Sequence, residues 1–210
     1  MQKKQSNFLS LVLNAWIFIP AIFYFNKVNE YALNLPYGDD YDAVLAFLNK
    51  FVSVGFTEKL ALMFSQHNEH RILLSRIIFV LYYEVFGTIN FRSLIFIANF
   101  ELVGIFIILV YFIRKSIPEY WNIAAFVLSL SLFDISNFEN ADFAMAGIQN
   151  YGVLLLFLLG ILFYSMDKRK YLVAAVFFQA FVVFTSGNGL IASLAMIFYA
   201  ILLKDKLKII

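Results

Sequence analysis

The stretch Ile72-Leu-Leu-Ser-Arg76-Ile-Ile-Phe-Val-Leu-Tyr-Tyr-Glu84-Val-Phe-Gly87 decides how this chain is arranged. It is apolar enough to enter a membrane, yet at about 16 residues it falls short of the roughly 17 to 25 that a crossing helix needs, and it carries Arg76 and Glu84. Charge decides what length leaves open, because Lys and Arg of short loops collect on the cytoplasmic side. With 72–87 lying flat, the inner segments hold Lys3, Lys4, Arg114, Lys115, Lys168, Arg169, Lys170, Lys204, Lys206 and Lys208. The outer loops then hold only Lys27, Lys50, Lys59 and Arg71, with Arg76 and Arg92 at the outer interface. With 72–87 crossing, every later loop inverts, and Lys3, Lys4 and Arg92 are the only inner cations left. The first arrangement is expected, so 72–87 reads as a helix lying at the outer interface or dipping into it.

The apolar runs that flank it fall near 8–25, 92–113, 117–133, 143–166, 171–186 and 189–203. They predict an all-α membrane protein of about six transmembrane helices, both termini cytoplasmic, with 1–210 as a single transmembrane domain. An outer loop over 26–91 follows the first span and carries interfacial amphipathic helices. Composition agrees: 62% of residues are hydrophobic and 19% aromatic, with a mean hydropathy of +0.81, against about 45–50% apolar residues in soluble domains. The run at 8–25 follows Lys3 and Lys4 without a small-x-small cleavage site, which reads as an uncleaved signal anchor. A net charge of +2 gives no reason to expect nucleic acid as a partner. With no cysteine, neither a disulfide framework nor a thiolate metal site is available. No P-loop, G-x-S-x-G or dinucleotide fingerprint is present.

Three polar clusters interrupt this apolar chain. Asp39, Asp40 and Asp42 follow the turn Pro36-Tyr37-Gly38, and 40–51 then reads as an amphipathic helix with Val44, Leu45, Phe47, Leu48 and Phe51 apolar. An acid there serves either as a base of raised pKa or as that helix's N-cap. The second cluster is Gln66-His67-Asn68-Glu69-His70-Arg71. At helical spacing His67, His70 and Arg71 share one face, which suits a phosphate or diphosphate, while a solvated loop meeting lipid headgroups is the plain alternative. A divalent metal held by His67 and His70 stays open as a cofactor, although the spacing is not H-E-x-x-H and no third ligand is evident, so no residue is assigned to a metal. In the third cluster Glu139, Asp142, Gln149 and Asn150 fall near one helical stripe entering the membrane, either lining a cavity or joining helices. The last outer turn, Ser186-Gly187-Asn188-Gly189, is small enough for a ligand or another backbone to come close. Glu101, inside 92–113, must face the protein interior or be protonated, with Arg76 or Arg92 as a candidate partner.

A signal anchor, an outer loop with an acidic pair and an interfacial helix, and a second acidic motif at the outer end of the third span together resemble the N-terminal module of the GT-C superfamily of membrane glycosyltransferases. The strings Gln66 to Arg71, Glu139-Asn140 with Gln149, and Ser186 to Gly189 are similar to ones in bacterial members of that group. The resemblance implies transfer of a sugar from a polyprenyl-phosphate donor to an acceptor on the outer face of a bacterial cytoplasmic membrane. It makes Asp40 or Asp39 the general base and places His70 and Arg71 at the donor phosphate. Glu139 or Asp142 would position acceptor or sugar, and His67, Glu69, Gln149 and Asn188 would join the substrate contacts. The expected partners are the lipid-linked donor, the bilayer and a second membrane subunit. The family carries seven or more spans, so a chain of six is expected to be a truncated product, a fragment or a partner-dependent subunit. The competing class is a non-enzyme, a small transporter or a scaffold subunit of a cell-envelope complex whose acids line a permeation route.

Overall fold

A computed structural model of the chain describes residues 14–166 and 168–202. A 3-10 turn at Ala15–Phe18 leads into α1 (Ile19–Tyr31), with Pro20 in the first turn, where its missing N–H costs nothing. The expected first span lies partly on residues 1–13, outside the described residues. The helix continues past Phe25 because Val28 is fully buried and Lys27 pairs with Glu30 one turn on at 2.7 Å. After the Pro36 turn, a π-helical segment at Tyr41–Ala46 runs into α2 (Phe47–Ser53), and α3 (Phe56–Phe64) follows. The amphipathic reading of 40–51 holds for Val44, Phe47, Leu48 and Phe51, which are buried. Leu45, within the wider π turn, points outward and is 39% exposed.

Strands β1 (Gln66–His67) and β2 (His70–Arg71) form an antiparallel hairpin, and α4 (Leu73–Phe86) comes next, ending at Gly87 in the left-handed region. Arg76 of α4 reaches back to donate to the carbonyls of Leu62, Met63 and Ser65 at 2.6, 3.2 and 2.5 Å, satisfying the open end of α3. Arg92 donates to Ala32 O, Asn29 O and Asn29 Oδ1, closing the end of α1 in the same way.

The frame is built by α5 (Phe91–Ser116), α6 (Trp121–Leu132), α7 (Phe138–Asp142), α8 (Ala144–Tyr164), α9 (Arg169–Val183) and α10 (Asn188–Leu202). Helices α5 and α8 lie side by side in the same direction, with Ala98, Glu101 and Gly104 level with Gly147, Gly152 and Leu155. The ends of α1 and α9 meet the starts of α5 and α10 at one end of the bundle, whereas α6 stops short of it, Phe133 packing on Phe106, and α7 covers the remaining distance beside Asn99 and the start of α8. At that end Leu73 N–H donates to Phe184 O, tying α4 to the α9–α10 turn. Among the described residues three runs are long and apolar enough to cross a membrane: 91–116, 144–164 and 121–142, the last broken after α6 at Phe133 and Asp134. Helices α9 and α10 hold 15 residues each, about 22 Å at 1.5 Å per residue.

Polar groups inside the bundle are few and specific. Tyr24 O–H donates to Asn99 Oδ1, and Asn99 Nδ2 donates to Ile95 O and Ala141 O, joining α1, α5 and α7. Glu101 is buried against Gly152, but neither Arg76 nor Arg92 is its partner, since both are spent on backbone carbonyls, and its Oε2 has no hydrogen bond. A side chain at residue 152 would bring its Cβ within 3.3 Å of that oxygen.

Candidate functional site

The cluster 66–71 is a hairpin, not a helical turn. Asn68 has φ +47, a left-handed conformation that asparagine tolerates better than most residues, and the register pairs Gln66 with Arg71 and His67 with His70. Directly opposed residues project to the same side of a hairpin and successive residues to opposite sides. His67 and His70 therefore share one face, while Arg71, expected beside them at helical spacing, is on the other. Its guanidinium lies over the Phe184 ring at 5.6 Å. The hairpin is anchored through His70, whose ring packs against Gly187: a Cβ there would come within 2.7 Å of Nδ1, an atom that has no hydrogen-bond partner. The close approach expected at the 186–189 turn is thus made by a side chain from the loop over 26–91.

The adjacent acids Asp39 and Asp40 have opposite environments. Asp40 is 2% exposed, and both of its oxygens are occupied: Tyr37 N–H donates to Oδ2 at 3.1 Å and Met145 N–H donates to Oδ1 at 2.9 Å. The capping alternative therefore applies in altered form, because Asp40 caps the start of α8 and not its own helix, placing a carboxylate at that helix's positive end. Burial pushes Asp40 above the ordinary carboxylate range, opposed by the two N–H groups and reinforced by the charge of Asp39. Asp39 itself is exposed.

Asp39, Met145 and Ala146 are shared by two adjoining cavities. The larger, about 540 Å³, is completed by the hairpin residues His67, Asn68, Glu69 and His70 and by Gln149 and Asn150. The smaller, about 270 Å³, is completed by Tyr37, Gly38, Asp40, Glu139 and Phe143. Among the described residues no Lys or Arg lines either one. The π face of Tyr37 stacks on Phe143 with centroids 4.2 Å apart. Burial lowers the His67 imidazole below its ordinary value, with Asp39 pulling the other way, so at neutral pH His67 is an uncharged hydrogen-bonding group.

The stripe expected from Glu139 to Asn150 is interrupted. Phe143, at φ −116 and ψ 127, breaks α7 from α8, so Glu139 and Gln149 reach the cleft from separate helices. Asp142 lines neither cavity; it is half-buried, and its Oδ1 has no hydrogen-bond partner. Gln149 Nε2 donates to Ser186 Oγ at 3.4 Å, and Ser186 Oγ also accepts from Asn188 N–H. Asn188 is exposed and lines neither cavity, and its link to the site is the backbone N–H donated to that serine. Asn150 Nδ2 donates to Asn140 Oδ1 at 2.7 Å, closing the gap between α7 and α8. Tyr37 and Met145 are lining residues that the sequence does not single out. The only signal for Tyr37 was an aromatic next to the glycine of an acidic turn, and Met145 carries none. Among the described residues no three His, Asp or Glu side chains are grouped closely enough to hold a metal ion.

Comparison with family models, with curated proteins and with solved structures gave no match to this chain.

Proposed function

We propose that this chain is a membrane glycosyltransferase of the GT-C type. In this reading it crosses a bacterial cytoplasmic membrane six times with both ends inside, and it moves a sugar from a polyprenyl-phosphate donor to an acceptor on the outer face. The observation that carries the reading is Asp39: an exposed carboxylate at the junction of a hydrogen-bonding chamber and an aromatic-floored one. Asp39 takes the proton of the acceptor hydroxyl as its oxygen attacks the anomeric carbon, and the bond to the phosphate oxygen breaks with its electron pair leaving on the phosphate. Among the described residues no Lys or Arg lines the chambers and Arg71 projects from the other face of the hairpin, so the neutral sugar and acceptor occupy the interior and the donor phosphate stays outside it. His67, His70, Gln149 and Glu139 hold hydroxyl groups there. Asp40 is withdrawn from the base role and fixes the loop.

A second reading, a small carrier or scaffold subunit, draws on Glu101, a buried carboxylate without a hydrogen bond on one oxygen inside the bundle. The two readings part on a transfer assay with a short-chain polyprenyl-phosphate sugar and detergent-solubilised protein. Asp39→Asn is expected to cut the rate by about 10² to 10⁴, the usual worth of a general base, with melting temperature unchanged. Full activity in that variant overturns the assignment, and absence of any transfer by the parent protein places the carrier reading ahead.

A further inference from the structure

A separate cavity of about 620 Å³ lies toward the far end of α5, away from the cleft. Phe18 of the first turn forms one wall, Phe106, Ile107, Val110 and the ring of Tyr111 on α5 form the other, and Arg114 and Lys115 stand at one end. From Phe106 to Lys115 the slot follows α5 for about 13 Å at 1.5 Å per residue. It is therefore long, mostly apolar, with Tyr111 as the one hydroxyl-bearing wall residue among those described, and cationic at one end only. Arg114 and Lys115 occupy the last turn of α5, where cations favour the helix's negative end. That preference explains their presence but not the slot below them. Among the described residues the one ion pair is Lys27 with Glu30, so no described acid neutralises either cation. The Arg114 guanidinium lies 4.7 Å from the centre of the Trp121 ring, an aromatic of the kind that sits at headgroup level.

We propose that this slot binds one anionic phospholipid, with an acyl chain along the Phe106 to Val110 wall and the headgroup phosphate between Arg114 and Lys115. Charge complementarity selects the headgroup: a guanidinium and an ammonium one residue apart favour a lipid of net negative charge over a zwitterionic one. The apolar wall selects a tethered chain over a free anion. The proposal stands independently of the transferase reading.

The test is native mass spectrometry of the protein released from nanodiscs of mixed phosphatidylcholine and phosphatidylglycerol. The parent protein is expected to retain one phosphatidylglycerol in preference to phosphatidylcholine. The double variant Arg114→Gln with Lys115→Gln loses that preference, by about fivefold for each neutralised cation. Val110→Trp fills the slot with both charges kept, and it is also expected to lose the retained lipid. Melting temperature is followed in both variants, and they are compared at conditions where each is folded. Equal retention of the two lipids by the parent overturns the proposal. So does loss in the charge variant alone, which means that the headgroup is held at the surface and the slot is idle.

Discussion

Asp40 is the residue on which the loop over 26–91 hangs. Its two accepted hydrogen bonds come from its own turn and from the start of α8, so Asp40→Ala leaves the buried Met145 N–H unpaired, at about 1 to 3 kcal/mol, and frees the part-buried Tyr37 N–H as well. A lowered melting temperature is expected for Asp40→Ala and an unchanged one for Asp39→Ala; equal melting of the two would remove Asp40 from this role. The pH dependence follows from the directions of two shifts. Asp40 has a folded pKa above its unfolded one, so its contribution to stability is whole below the ordinary carboxylate value and is lost as pH rises through the folded value. His67 has a folded pKa below its unfolded one, so the fold keeps its full contribution above about pH 6.5 and loses it as pH falls through the folded value. In His67→Gln the loss of stability on acidification below about pH 6.5 should shrink, as read from melting temperatures across that range. An unchanged acid limb would show that His67 is equally solvated in both states. The sequence displayed Asp39 and Asp40 as a pair but not their division of labour. Which carboxylate is buried depends on where Met145 lies, and no local pattern encodes a contact across 105 residues.

Among the elements, the long apolar helices were legible because length and hydropathy are summed over many residues. The 92–113 run appears as α5 and the 143–166 run as α8, within a few residues. The hairpin was not legible: six polar residues satisfy an i, i+3, i+4 helical face and a two-residue turn equally well, and strands this short have no periodicity to count. The break at Phe143 had the same cause, since a stripe of polar residues survives in sequence whether or not one backbone step between them is extended. The hairpin makes a prediction that a helix does not. In a chain with no native cysteine, His67→Cys with His70→Cys should form a disulfide on mild oxidation, because the two are directly opposed. His67→Cys with Arg71→Cys should not, because those side chains project to opposite faces. Cross-linking of the second pair in preference to the first would restore the helical turn.

At the scale of the whole molecule, the long loop, the hairpin and the starts of α5, α8 and α10 gather at one end of the bundle, and the far end carries short connections with Arg114, Lys115, Lys168, Arg169 and Lys170. The number of crossings was not legible in the sequence, because 15-residue helices sit below the length at which composition decides. In the proposed six-span arrangement, single cysteines at the exposed positions Ser53, Ser136 and Asn188 react with an impermeant thiol reagent applied from outside, and one at Ser116 does not. Labelling at Ser53 and Ser136 without Asn188 would mean that α9 fails to cross. The bond between Asp40 and Met145 also bears on how the protein is made. A ribosome releases residues 26–71 long before 144–188, so the acidic turn and the hairpin wait without the helix end and the glycine turn that hold them. Assembly of the cleft is therefore among the last events of biogenesis. It is governed by closing a loop of more than a hundred residues, and non-local closures of that kind slow folding. A nascent chain arrested before α8 should expose its outer loop to added protease, and one arrested after α10 should protect it.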